Sequence, residues 1–324
     1  MPGEVWPVQP RVRVITDNDY GGDPDGLVQL AHILLSASVE VRAVIGSHLR
    51  PGDPLDQSST TAADAAAAAE RVVELCGRSG DVIVTAGSDT PMVDGKTPVA
   101  GPAVEAIIAE AMRDDTDLPL YVTCGGGLTE MASAWLVEPR IAARLTLIWI
   151  GGAEHEGHGE RPPGGTQLEY NTAIDAVAAQ VVFNDSDLRI WQVPRNVYRT
   201  TLASRAEMRA RMAPCGPLGR HLFDSLAQVA DSAVRHGLHL GEAYILGDSP
   251  LVLLSGLQSS FEPDASSSSY VTRPCPRIVD SGGYVHRPDG RPLRIYNAVD
   301  NRLLLEDLWA KLALLAQSTQ GEAP

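Results

Sequence analysis

The chain has 324 residues, 44% of them hydrophobic, and carries 26 Lys and Arg against 41 Asp and Glu for a formal net charge of -15. This composition supports a sizeable folded core rather than a disordered chain. The absence of any Lys/Arg-rich run argues against a nucleic-acid partner, and the absence of a run of roughly eighteen apolar residues argues against a membrane span.

The first element predicted is a strand over 11–16, RVRVIT, which is short and rich in β-branched residues. It runs into Asp17-Asn18-Asp19-Tyr20-Gly21-Gly22-Asp23-Pro24-Asp25-Gly26, which holds four carboxylates in ten residues. Acids so crowded repel one another and are driven to take up protons unless a cation or a set of donors compensates them. Asp, Gly and Pro are also ordinary turn residues, so a solvated turn is the plain alternative. The sharper expectation is a hard-cation site, because Ca2+ takes roughly six to eight oxygen ligands in loose geometry.

Helical spacing then predicts a helix over 27–37 and β-branched content a strand over 39–47, giving a β-α-β unit with the acids at the carboxyl end of its first strand. The Ala-rich segment 60–80 predicts a helix ending in Gly, followed by a strand over 81–87. VEAIIAEAMRD is helical, LPLYVTCGGG (118–127) is a strand entering a Gly-rich loop, LTEMASAWLVEP is helical, and RLTLIWIGGA (144–153) is again a strand entering a Gly loop. Repeated β-α units predict an α/β fold, doubly wound, with a mainly parallel central sheet flanked by helices. In such sheets ligands bind where the loops at the carboxyl ends of the strands converge. The acidic loop, GSHLRPGDP, AGSDTP, CGGGLT and GGAEHEGHGE all fall there.

Further along, ASSSSYVTRP (265–274) reads as a flexible surface loop, SGGYVHRPDG (281–290) as a hairpin, and Asn301 to Gln317 as a terminal helix. No convincing linker divides the chain, so a single domain over 1–324 is expected, with 256–324 as its divergent extension. Cys76, Cys124, Cys215 and Cys275 lie far apart without a C-x-x-C pair and read as reduced thiols. MPGEVWPVQP lacks an apolar leader segment, and a cytoplasmic location is the expectation. The dinucleotide-binding, P-loop and G-x-S-x-G patterns are not satisfied.

The opening loop resembles the D-x-D-x-G-x-D-D signature of the inosine-uridine preferring nucleoside hydrolases, Ca2+-dependent N-ribohydrolases. Further segments resemble the family in chain order: AGSDTPMV (86–93), GGGLTEMASAWLVEPRI (125–141), LTLIWIGGA (145–153), LEYNTAIDAVAAQVVF (168–183) and GDSPLVLL (247–254). The resemblance implies a nucleoside hydrolase-like fold and hydrolysis of the N-glycosidic bond of a ribonucleoside or related riboside, passing through an oxocarbenium-like sugar. It implies Asp19 as a metal ligand and the general base toward water, and Asp248 as a ligand of both metal and ribose. It further implies a main-chain ligand at Gly125, ribose contacts from Glu169 and Asn171, and support from Asp17. The family has two adjacent acids where this chain has Asp23-Pro24-Asp25. Asp23 then matches the ribose-binding acid, and Asp25 the metal ligand if one residue is inserted.

Two departures accompany these matches. Gly247 stands where the family often carries a leaving-group His, and RPPGGTQ replaces the family's Asn upstream of the E-F-N segment. His155, Glu156 and His158 in the loop EHEGHGER are candidate replacements as proton donors, with exposed loop residues as the plain alternative. Trp191, Tyr198 and Tyr244 are expected near the pocket mouth, Tyr244 foremost, and Trp135 and Trp149 in the core. The expected partner is a small-molecule nucleoside or riboside, and the expected assembly a homodimer or homotetramer. The competing function is an altered relative that binds a pentoside-like ligand or a protein without cleaving it.

Overall fold

The computed structural model describes residues 7–235, 237, 241–259, 261, 264 and 266–321. Met1–Trp6, part of the segment read as lacking a leader, lie outside them. The first six strands are β1 (Val12–Asn18), β2 (Val39–Gly46), β3 (Ile83–Ala86), β4 (Leu120–Cys124), β5 (Leu145–Ile150) and β6 (Arg189–Val193). They pair in parallel in the order β3-β2-β1-β4-β5-β6. Every residue of β1 and β5 is buried, as expected for strands covered on both faces.

A short antiparallel pair, β7 (Leu202–Ser204) with β8 (Ala243–Ile245), stands apart from the main sheet. The later chain adds β9 (Ser269–Pro274), the small hairpin β10 (Arg277–Ile278) and β11 (Tyr284–Val285), and β12 (Pro292–Ala298). β12 pairs in parallel with β6 and β9 in antiparallel with β12, completing an eight-stranded sheet.

Two of these strands correct the sequence reading. Ser269–Pro274, expected as loop, is the edge strand of the sheet, and 292–298, to which no element was assigned, lies inside it. β9 leaves all six of its residues partly or fully exposed and so lacks the alternation that marks a half-buried strand. Its place is set by main-chain pairing with β12, where Leu293, Ile295 and Tyr296 are buried.

The helices are α1 (Asp25–Leu34), α2 (Thr61–Leu75), α3 (Pro102–Ala111), α4 (Thr129–Val137), α5 (Tyr170–Ile174), α6 (Ala176–Gln180), α7 (Arg195–Tyr198), α8 (Arg205–Arg211), α9 (Gly216–Arg235), α10 (Pro250–Ser255) and α11 (Asn301–Gly321). One core joins α1, α2, α9 and α11 to Val12, Val14, Val41 and Val44. A second joins α3, α4 and α6 to Ile15, Ile45, Val122 and Leu147. The alternate residues of β1 thus face opposite layers, which is the doubly wound arrangement expected. α11 is clamped to α1 where His32 Nε2 meets Asp307 Oδ2 at 2.7 Å.

The chain leaves β1 for β2 on one side and returns to β4 on the other, so the sheet's switch point lies at β1. Asp17 is in register with Ile45 and with Cys124, and Asn18 with Gly46. The acidic loop therefore begins where the layout of an open sheet leaves a crevice. All four cysteines are buried free thiols, and Trp149 is fully buried. Among the described residues no helix is long and apolar enough to cross a membrane.

Candidate active site

A cavity of about 290 Å³ opens at the carboxyl ends of β1, β4 and β5. Five aspartates border it, Asp19, Asp23, Asp25, Asp53 and Asp248, together with the main chain of Gly125. Tyr170, Asn171 and Tyr198 form a polar wall, and Pro54, Leu55 and Ile245 an apolar one. No Lys, Arg or His appears among the described residues that line it.

Each acid is held differently. Asp19 leaves β1 with its N–H donating to Asn18 Oδ1 at 2.9 Å. Asp25 lies in the first turn of α1, where the helix dipole favours a negative charge. Its Oδ2 accepts the Asp248 N–H at 3.2 Å, joining the acidic loop to the segment that leads into α10. Asp248 Oδ2 accepts from Asn18 Nδ2 at 2.9 Å. Asp23 is exposed and accepts from the Tyr244 hydroxyl at 2.6 Å.

Burial and mutual repulsion disfavour the charged forms. Burial, then the Asp248 charge, holds Asp19 well above the ordinary carboxylate range. Burial, then repulsion from Asp248 and Asp23, does the same to Asp25. Asp248 is pushed up to about 7, chiefly by burial, against the lowering effect of its bond from Asn18. Asp17 lies behind them, fully buried, and neither of its oxygens makes a sound hydrogen bond. Burial and then the charge of Glu130 raise it as well, so it favours the neutral acid.

The donor set suits a hard divalent ion: carboxylates and a carbonyl oxygen, with no competing cation on the wall. Asp19, Asp25, Asp248 and the Gly125 carbonyl would hold such an ion. As the side chains lie, among the described residues no group of three or more His, Cys, Asp or Glu is arranged as a ready cage. One oxygen of each of Asp25 and Asp248 is engaged, with Asp248 N–H and Asn18 Nδ2 respectively, which leaves the other oxygen of each carboxylate for ligation.

Gly125 is fixed by space. A Cβ there would stand 2.3 Å from Asn18 Nδ2, so only Gly lets Asn18 reach across to Asp248. The Gly125 carbonyl accepts from Asn171 Nδ2 at 2.7 Å, and the same amide donates to Ile150 O at 2.8 Å. Asn171 thereby ties together the ends of β4 and β5.

Glu169 is brought next to this wall but does not line the cavity. It caps α5, and its two oxygens take the N–H groups of Gly152, Asn171 and Thr172 and the hydroxyls of Thr172 and Tyr198. The resemblance implies Glu169 as a ribose contact; here it stands directly behind Tyr198, one hydrogen bond away from the cavity wall.

His155 and His158 are not brought to the acidic cavity. They line a separate and larger one, about 730 Å³, between the 153–161 loop, β9 and the β10–β11 hairpin. His155 is buried, bonded to Gln192 Oε1 at 2.8 Å and stacked on Tyr284 at 4.3 Å, and burial lowers its pKa to about 4. It is a neutral packing residue at ordinary pH. Glu156 borders the same second cavity. Trp191 packs between Tyr121 and Arg294 rather than at the acidic cavity, and Tyr244 touches Asp23 without lining it.

Asn18 and Asp53 belong to the site although neither stands out in the sequence. Asp53 is 1% exposed and accepts from Tyr170 Oη at 2.7 Å and Arg50 Nε at 3.1 Å. Its only sequence signal is its place in GSHLRPGDP at a strand's carboxyl end. Asn18 lies inside the acidic stretch, but attention to charge passes over it.

The sequence profile described as "Inosine-uridine preferring nucleoside hydrolase" matches residues 14–264. The chain belongs to the inosine-uridine preferring nucleoside hydrolase family. An inosine-uridine preferring nucleoside hydrolase of Crithidia fasciculata is 30% identical over 208 residues, 56% of this chain and 58% of that relative. The chain thus matches a little over half the length of this relative. The solved purine-preferring ribonucleoside hydrolase from Gardnerella vaginalis shares the fold at a TM-score of 0.69 and 18% identity, covering 94% of this chain and 99% of that one. The type III effector protein XopQ, solved with adenosine diphosphate ribose, shares it at 0.62 and 16%, covering 96% and 95%. Nucleoside hydrolase family membership accounts for the doubly wound sheet, and of the matched segments those holding Gly125, Ile150, Tyr170, Asn171 and Asp248 border the acidic cavity.

Proposed function

We propose that this family member is a divalent-cation-dependent N-ribohydrolase, with Ca2+ as the resident ion, that cleaves a ribonucleoside or related riboside to free base and ribose. The observation that carries this reading is the cavity in which Asp19, Asp25 and Asp248 meet the Gly125 carbonyl and Asn171 with no cationic side chain among them. A bound hard cation supplies the positive charge that orients hydroxyls and water and acidifies them. Asp19 then acts as general base, its carboxylate, freed of its proton by the ion, taking a proton from water as the glycosidic bond opens. Asp25 and Asp248 hold the ion, and Asp248 with Asp23 meets the sugar hydroxyls. Asp17 lies behind the acidic loop without meeting the sugar, and Pro54, Leu55 and Ile245 offer an apolar seat for the base.

Among the described residues that line the cavity no His takes the place of the one the family often carries before its late Asp, so a base that leaves without strong protonation is favoured. The test is the release of free base and ribose from a panel of purine and pyrimidine nucleosides, followed by chromatography with Ca2+ and with chelator. Release that requires Ca2+ supports the reading. Tight binding of nucleosides without release from any of them would replace it with a binding role.

A further inference from the structure

We propose that Tyr198 is a specificity-determining residue of the reaction proposed above, meeting a hydroxyl of the sugar with its phenol oxygen. The inference rests on that proposed function and deepens it. Tyr198 closes α7 and lines the acidic cavity. Its hydroxyl donates to Glu169 Oε1 at 2.8 Å. The phenol hydrogen is thus committed to a buried carboxylate, and the oxygen has only acceptor lone pairs left for the cavity. A group in that state selects a donor on the substrate.

Three observations place a sugar hydroxyl there. Glu169 stands behind Tyr198 with its two oxygens taking five donors, so the Tyr198 oxygen is the member of this pair that reaches the cavity wall. The Tyr198 ring packs on Gly247, the neighbour of Asp248, where a Cβ would stand 3.3 Å from ring Cδ2 and 3.3 Å from Asp25 Oδ2. A side chain at 247 would therefore press equally on Tyr198 and on Asp25, so the ring stands directly beside the acids that face the sugar. The apolar surface suited to a base lies elsewhere on the wall, at Pro54, Leu55 and Ile245.

α7 is rigidly mounted for this task. Arg195 in its first turn bonds Glu154 through Nε at 2.6 Å and Nη2 at 2.7 Å, and Thr166 O through Nη1 at 2.7 Å. The helix that carries Tyr198 is thus pinned to both ends of the 154–166 loop.

The experiment compares wild type with Tyr198→Phe, which removes only the oxygen. The substrates are p-nitrophenyl β-D-riboside and its 2-deoxy, 3-deoxy and 5-deoxy analogues, all with Ca2+. Wild type should favour the parent over one of the analogues by about tenfold more than the variant does, because the lost bond is shared between that hydroxyl and Tyr198. The variant should keep the melting temperature of the wild type to within a few degrees. Calorimetric titration with D-ribose and the matching deoxyribose gives the same comparison without turnover. If Tyr198→Phe lowers all four substrates by one common factor, Tyr198 is only a packing residue and the inference is overturned while the hydrolase reading stands. If wild type neither cleaves nor binds any riboside, both are overturned.

Discussion

Asn18 shows how an uncharged residue sets the behaviour of charged ones. Its amide donates to Asp248 and accepts from Asp19 N–H, so it holds the two acids in relative position. Partners of this kind are worth roughly 10- to 100-fold in metal affinity. Asn18→Ala is accordingly expected to weaken Ca2+ binding by about tenfold, measured by calorimetry, while the fold persists. His155 and His158 belong at the same scale. Because they line a different cavity, changing either to Ala should leave kcat on natural nucleosides, whose bases are poorer leaving groups than nitrophenolate, within about twofold, far below the loss expected for a proton-transfer group. The acids were legible in the sequence because charge density and the family pattern coincide there. Asn18 and Asp53 were not, since one carries no charge and the other stands in a loop without spacing that would single it out. The saturation of Glu169 was equally hidden, because it depends on main-chain N–H groups contributed by α5 and the turn after β5.

Among the elements, β1 delivers the site and α3 helps to hold β1. Arg13, 4% exposed, bonds Glu110 Oε1 at 2.5 Å and the carbonyls of Glu110 and Leu118 at 3.0 and 2.9 Å. Removing one partner of a buried pair leaves the other charge uncompensated, which costs roughly 3 to 5 kcal/mol. Glu110→Ala should lower stability by about 3 kcal/mol in urea unfolding and leave Ca2+-dependent turnover near wild type at low temperature. The alternation of strands and helices up to β5 was readable because buried parallel strands are continuous apolar runs bounded by Gly-rich loops. β9 was not, because an exposed, Ser-preceded edge strand owes its conformation to the partner that pairs with it. The bounds of α11 differ for a simpler reason: its last turn continues to Gly321 past the leucines whose spacing marks the helix.

For the whole molecule, the net charge of -15 and the clustered acids make ion binding, proton binding and stability one problem. Asp248 keeps its proton to about pH 7 in the folded chain, against an ordinary 3.8. For this raised carboxyl the folded state is favoured most below the unfolded value and is progressively disfavoured as pH rises toward 7. Asp19 and Asp25 shift in the same direction. His155, lowered to about 4, works in the opposite sense, adding stability above its ordinary 6.5 and losing it as pH falls. The metal-free melting temperature therefore mixes the two, whereas the Ca2+-induced change isolates the acids, because an ion must displace their protons. A rise of about 5 °C is expected at pH 8 with Ca2+ at about a hundred times its Kd, and a much smaller one at pH 5 with the same Ca2+.

In the proposed reaction the acidic cavity activates water for ribosyl cleavage through Asp19. Turnover of p-nitrophenyl riboside by wild type and by Asp19→Asn, each with saturating Ca2+, tests it most directly, since the nitrophenyl group departs without protonation. The prediction is Ca2+-dependent release of nitrophenolate by wild type and a loss of about a thousandfold in kcat for the variant, with Ca2+ binding still detectable by calorimetry. Equal turnover by the two proteins would contradict it.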